Sequence, residues 1–157
     1  MKKIIALIVL IMTLNSCAEK IVINREVDST EYGKMLLGTQ SFDQFHKEPY
    51  KVWFDENYKI YPTDKPSIEA LKKAKINSYN ITVFLGTWCG DSKRNFPRLM
   101  KILDETKFPK SKLHIIGVNR KKQSPNGEEA KYNIVKVPTI ILEKYGKEIG
   151  RITEEPE

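Results

Sequence analysis

Two cysteines, Cys17 and Cys89, are the residues of this 157-residue chain best suited to covalent chemistry. Cys89 lies in Trp88-Cys89-Gly90-Asp91-Ser92. Before it runs a β-type segment, Ile81 to Leu85, that stops at Gly86, and after it a helical stretch carries Phe96, Leu99, Met100 and Leu103 on one face. A cysteine at such a strand-to-helix junction meets unpaired backbone N–H groups and the positive end of the helix macrodipole. Both favour the thiolate, the nucleophilic form of the residue. Lys93 and Arg94 add positive charge, and Asp91 opposes it. Ser92 can donate its hydroxyl to the Cys89 sulfur, but it has no sulfur with which to open a mixed disulfide. The chemistry open to this group is thiol–disulfide exchange at one sulfur.

Cys17 has a different setting. Met1-Lys2-Lys3 precedes an apolar run from Ile4 to Leu14, which predicts a signal peptide over residues 1–16. A spanning helix needs about 20 apolar residues, more than this run supplies. Leu14-Asn15-Ser16-Cys17 resembles the bacterial lipobox, in which the cysteine becomes a lipidated first residue; an ordinary secretory peptide with an incidental cysteine is the alternative. Either reading takes the chain out of the cytoplasm, and the first makes it a membrane-anchored lipoprotein of the cell envelope facing the periplasm or the exterior. Lipidation would lock the Cys17 sulfur in a thioether and leave Cys89 as the one free thiol. Any redox cycle then passes through an outside thiol or a second copy of the chain.

Other chemistry is poorly supported. The formal charge of +7 comes from scattered lysines without a basic, aromatic-interleaved patch, so a nucleic-acid partner is not expected, whereas attraction to anionic lipid head groups is. His46 and His114 stand far apart, so no metal and no cofactor are expected. Asp91, Asp104 and Glu105 read as a solvated helix face.

The elements that must position Cys89 follow from periodicity. Residues 17–45 read as a lipidated N-terminus and tether, with a short strand near Met35 to Leu37. Residues 46–157 read as one domain whose core spans 80–152, preceded by a helical extension over 46–78. In that extension Tyr50, Trp53, Phe54, Tyr58 and Tyr61 form an aromatic stripe, with Pro49 suited to a first helical turn, and Pro66 to Ile76 gives a second helix. Leu113 to Val118 is a further strand, and Thr139 to Leu142 with Glu148 to Ile152 is a hairpin turning at Tyr145-Gly146-Lys147. A strand, helix and parallel strand followed by a hairpin imply a mixed sheet.

The segment Phe84 to Pro97 is similar to the active-site strand and helix of thioredoxin. Val137-Pro138-Thr139, followed by Lys144-Tyr145-Gly146-Lys147, is similar to its cis-proline loop and hairpin. The resemblance covers about Asn80 to Ile152, and the nearest likeness is to membrane-anchored extracytoplasmic thioredoxin-like proteins. It implies an α/β, three-layer fold with a mixed central sheet flanked by helices. It also implies a site in which Cys89 and Ser92 are the catalytic positions and Trp88, Gly90, Asp91, Val137, Pro138 and Thr139 bind substrate, with Pro138 cis and an extended segment paired beside Val137.

Three departures from the family shape the expectation. Ser92 stands where the family has its resolving cysteine, and Val83 where it has a buried acid. The family's last helix is also missing, so either the aromatic stripe covers that face or the chain is a shortened form. The implied activity is monothiol exchange: Cys89 attacks a disulfide of a protein or small molecule, and an external thiol releases the mixed disulfide. The competing class is a non-catalytic binding module of the same fold; a Cys89 buried in the core is the third, which its turn position argues against. A monomer is expected.

Overall fold

The computed structural model describes residues 22–155. The leader over 1–16 and Cys17 lie outside the described residues. Strands β1 (Arg25–Ser29) and β2 (Gly33–Gln40) form an antiparallel hairpin, followed by helices α1 (Tyr50–Ile60) and α2 (Lys65–Lys73). Then come β3 (Asn80–Leu85), α3 (Gly90–Glu105), β4 (Leu113–Gly117), a single turn α4 (Glu128–Lys131), β5 (Thr139–Lys144) and β6 (Lys147–Thr153). The strands make one six-stranded sheet in the order β1-β2-β4-β3-β5-β6. Only β3 and β4 run parallel; every other neighbouring pair is antiparallel.

Each helix buries the face its spacing dictates. On α1, Tyr50 and Phe54 lie four residues apart and are both buried, with Trp53 and Tyr58 packed beside them. On α2, Asp64 caps the N-terminus by accepting the Ser67 N–H at 2.9 Å, and Ile68 turns inward. On α3, Phe96, Met100 and Leu103 form the buried stripe. The α1 and α3 residues meet Leu36, Ile81, Val83, Leu85 and Ile115 from β2, β3 and β4 in one core. The opposite face of the sheet carries a smaller core of Phe84, Ile116, Val118 and Ile141, closed by Ile134 and Val137 from the segment before β5.

Two features of the structure differ from the sequence expectation. Residues 25–40, read as tether apart from a short strand near Met35 to Leu37, are two strands of the sheet, and the expected strand is the middle of β2. Their signal is hidden because β2 has only three adjacent apolar residues, bends at Gly38 with φ +73°, and buries Gln40. The Gln40 side-chain N–H group donates to the Leu37 carbonyl at 2.8 Å and to the Gly38 carbonyl at 3.2 Å, while its buried Oε1 has no hydrogen-bond partner among the described residues. Pro49 stands just before α1 as its capping residue rather than within the first turn, and the Glu48–Pro49 bond is cis. The aromatic stripe shares a core with β2, β3 and β4. Toward the β5–β6 edge the same face keeps an apolar groove of 430 Å³ that includes Leu71, Leu99, Leu103, Ile140 and Ile152 in its walls.

Candidate active site

Cys89 is the N-cap of α3, with extended backbone at φ −90° and ψ 127°. The chain reaches it through a tight turn, in which the Cys89 N–H donates to the Gly86 carbonyl at 2.8 Å and the Cys89 carbonyl accepts the Lys93 N–H at 3.0 Å. The buried strand β3 thus delivers the cysteine to the surface, where it is half-buried, and α3 starts beneath it with its first N–H groups pointing toward the turn. Among the described residues it is the free cysteine.

The second part of the site comes from the loop before β5. The Val137–Pro138 peptide bond is cis, and the Cys89 thiol donates to the Val137 carbonyl at 3.3 Å. Sequence residues 48 apart therefore meet at the sulfur. β3 pairs with β5 from Phe84↔Thr139 onward, so the ends of these two strands hold the turn and the proline loop side by side. The Pro138 carbonyl accepts the Glu154 N–H at 2.7 Å, and the Asn95 amide donates to the Glu154 carbonyl at 2.8 Å. The segment after β6 thereby fastens the proline loop to α3.

Three sequence-predicted residues take roles other than those expected. Ser92 is 1% exposed, and its hydroxyl oxygen accepts the Gly86 N–H at 3.2 Å, so its recorded bond holds the turn beneath Cys89 and not the sulfur itself. Thr139 is 2% exposed and donates its hydroxyl to the Lys136 carbonyl at 2.8 Å, a bond that shapes the proline loop from inside. Arg94, expected to lend its charge to Cys89, pairs with Asp91 at 2.9 Å and with Glu155. Trp88 is partly exposed beside the sulfur and is pinned by its indole N–H, which donates to the Val118 carbonyl at 2.8 Å. Gly90 is exposed on the first turn of α3.

Sequence reasoning missed Arg120 and Tyr32. The Arg120 guanidinium lies 3.8 Å from the Tyr32 ring centroid and 5.2 Å from that of Trp88. Only topology could have found them, because parallel neighbours β3 and β4 end at the same edge and bring the loops after them together. His46 packs edge-on against Phe42 and Phe54, and His114 is on β4, so the two histidines serve separate parts of the fold.

The family model described as Thioredoxin matches residues 68–157, more than half of the chain, and that span holds β3, the Cys89 turn, α3, the proline loop and the β5–β6 hairpin. No curated protein matches the chain. Among solved structures, a protein of unknown function from Pseudomonas aeruginosa is similar at a TM-score of 0.56 and 15% identity, over 76% of this chain and 74% of that one. An HIV epitope scaffold is similar at 0.55 and 16%, over 75% and 73%. Both likenesses are of fold alone. Mitochondrial thioredoxin 3 from Saccharomyces cerevisiae, in its oxidized form, shares 24% identity over 64% of this chain and 90% of its own, at a TM-score of 0.38. On the match over residues 68–157, and with the cysteine turn and proline loop meeting as the sheet arranges them, the chain belongs to the thioredoxin family.

Proposed function

We propose that this protein is a thiol–disulfide exchange catalyst of the bacterial cell envelope that works with one thiol. The Cys89 thiolate attacks a disulfide, one half of which leaves as a thiol while the other stays joined to Cys89. An external thiol then discharges it. The observation that carries this reading is the pairing of a half-buried Cys89 at the helix tip with Ser92, whose oxygen is committed to the Gly86 N–H and brings no second sulfur to the site. The leader over 1–16 and Leu14-Asn15-Ser16-Cys17 support export and anchoring by a lipid on Cys17, with the folded part facing the periplasm or the exterior. The partner is a protein or small molecule carrying a disulfide or thiol, and the chain acts as a monomer.

The test uses the chain with Cys17→Ser, which leaves Cys89 as its one thiol. Incubated with bis(2-hydroxyethyl) disulfide, it gains one hydroxyethylthio group by mass spectrometry, loses it on adding 2-mercaptoethanol, and gains nothing when Cys89→Ser is added. A chain that stays unmodified would instead be a binding module with an inert Cys89.

A further inference from the structure

Beside Trp88 the surface sinks into a concavity of 270 Å³. Its walls include Tyr32 and Lys34 from the β1–β2 hairpin, Trp53 from α1, Trp88 from the turn before α3, Lys93 from the first turn of α3, and Arg120 from the loop after β4. Three cations therefore surround one small, aromatic-walled hollow. Lys34 is engaged by Glu26 at 2.9 Å. Neither Lys93 nor Arg120 has a carboxylate partner among the described residues. Of the acidic groups on this side, Glu31 accepts from the Tyr32 hydroxyl and Glu26 pairs with Lys34 and the Tyr50 hydroxyl, while Asp28 stands opposite Lys34 in the β1–β2 register. Arg120 is also held in place by the Tyr32 and Trp88 rings, which flank it without neutralising it.

Resting on the exchange chemistry proposed above, we infer that this concavity receives the carboxylate of a low-molecular-weight thiol, and that this anionic thiol is the one that discharges Cys89. The size favours a small molecule, since pockets for drug-sized ligands begin at roughly 300 Å³. The position favours a thiol, because the wall residue Trp88 directly precedes Cys89 and the N–H of the wall residue Lys93 donates to the Cys89 carbonyl at 3.0 Å. A guanidinium with a free edge and an unpaired ammonium are the groups that bind a carboxylate. With its carboxylate at Arg120 and Lys93, the thiolate of the small molecule attacks the Cys89 sulfur of the mixed disulfide. The bond from Cys89 to the partner sulfur breaks, the partner leaves with the electron pair and takes a proton from water, and Cys89 is joined to the small thiol. A second small thiolate attacks the sulfur of the first. That step frees Cys89 as thiolate and yields the small disulfide, so two thiols have supplied the two electrons that reduced the partner disulfide. Tyr32 and Lys34 from the N-terminal hairpin and Trp53 from α1 precede the family-matched span.

The experiment starts from the full chain, Cys17→Ser, with Cys89 loaded as a 2-pyridyl mixed disulfide from 2,2′-dipyridyl disulfide. Release of pyridine-2-thione is timed with 3-mercaptopropionate, 2-mercaptoethanol and cysteamine, each rate divided by the same thiol's rate with 2,2′-dipyridyl disulfide, which cancels differences in thiolate fraction and intrinsic nucleophilicity. The anionic thiol is expected to be about tenfold faster than the neutral one, with cysteamine slowest, and its rate to saturate with concentration. Raising the salt from about 0.05 to about 0.5 M should shrink that ratio. Arg120→Gln and Lys93→Gln should each cut the ratio severalfold, whereas Lys121→Gln, the same charge change on the neighbouring exposed residue, should keep it. Equal normalised rates for the three thiols, or an Arg120→Gln ratio equal to that of Lys121→Gln, would overturn the inference while leaving single-thiol exchange intact. If Cys89 takes up no pyridyl group at all, both readings fall together.

Discussion

At the scale of single residues, the site depends on how little room surrounds the turn that carries Cys89. A Cβ on Gly86 would lie 2.5 Å from the Trp88 indole, inside any real contact distance, so the glycine is what lets the ring lie over the turn. Gly86→Ala should therefore push the indole off the Val118 carbonyl, destabilise the fold by about 1–3 kcal/mol, and change the rate of Cys89 alkylation severalfold. In a Trp53→Phe background, tryptophan emission reports Trp88 alone; emission and alkylation both unchanged from the parent would contradict this account. Cys89 was legible in the sequence because a strand run ending in glycine and a following helix pattern leave a local signature, whereas Trp88 and Pro138 were legible through the resemblance of their segments to thioredoxin. The inward roles of Ser92 and Thr139 were not, since the partner of a small hydroxyl depends on which carbonyl or amide the fold brings near. Arg120 was invisible for a related reason: its neighbours, Tyr32 and Trp88, are close only once β4 lies between β2 and β3.

At the scale of elements, α3 is presented by what packs along it. The Tyr58 hydroxyl on α1 donates to Asp104 on α3 at 2.8 Å, and Thr63 donates to Glu105 at 2.8 Å, tying the two helices at the end remote from Cys89. Burial, reinforced by the Asp104 carboxylate, pushes the Tyr58 phenol up to about 12. An unfolded tyrosine ionises near 10, so the folded chain holds this proton more tightly. That contribution is complete below about pH 10 and is lost as pH rises through about 12. Burial also raises Tyr50, whose hydroxyl donates to Glu26. Stability measured by urea midpoint should thus fall from about pH 10 upward, and Tyr58→Phe should flatten part of the fall while Tyr50 maintains the rest. A Tyr58→Phe chain with the parent's alkaline slope would refute the linkage. The helices were legible because their apolar residues recur at helical spacing over two or three turns. β1 and most of β2 were not, because β1 is almost wholly exposed and β2 lacks strict alternation.

At the scale of the whole molecule, the N-terminal hairpin and the turn after it belong to the fold that carries Cys89. Phe45, fully buried, lies in the 3₁₀ turn Phe42–His46 with its ring centroid 4.6 Å from that of Phe96 on α3, joining the early chain to the site helix. Phe45→Ala should cost about 3–5 kcal/mol, a large share of a stability of about 5–15 kcal/mol, and urea denaturation reads it directly; a loss under about 1 kcal/mol would show that the early chain is peripheral. The mixed sheet and its hairpin were legible from the order of the segments. The covering of its two faces was not, because the residues that close the smaller core come from a loop without periodicity. The central claim, one sulfur acting without an internal partner, is tested most directly by counting thiols. The reduced Cys17→Ser chain is mixed with an excess of a disulfide joining two copies of one peptide, with no other thiol present. The account predicts one peptide thiol released per chain and one peptide retained on Cys89, whereas adding Ser92→Cys should release both copies and leave an internal disulfide. No peptide thiol released, or one released per chain with no peptide retained because two chains are joined through Cys89, would contradict it.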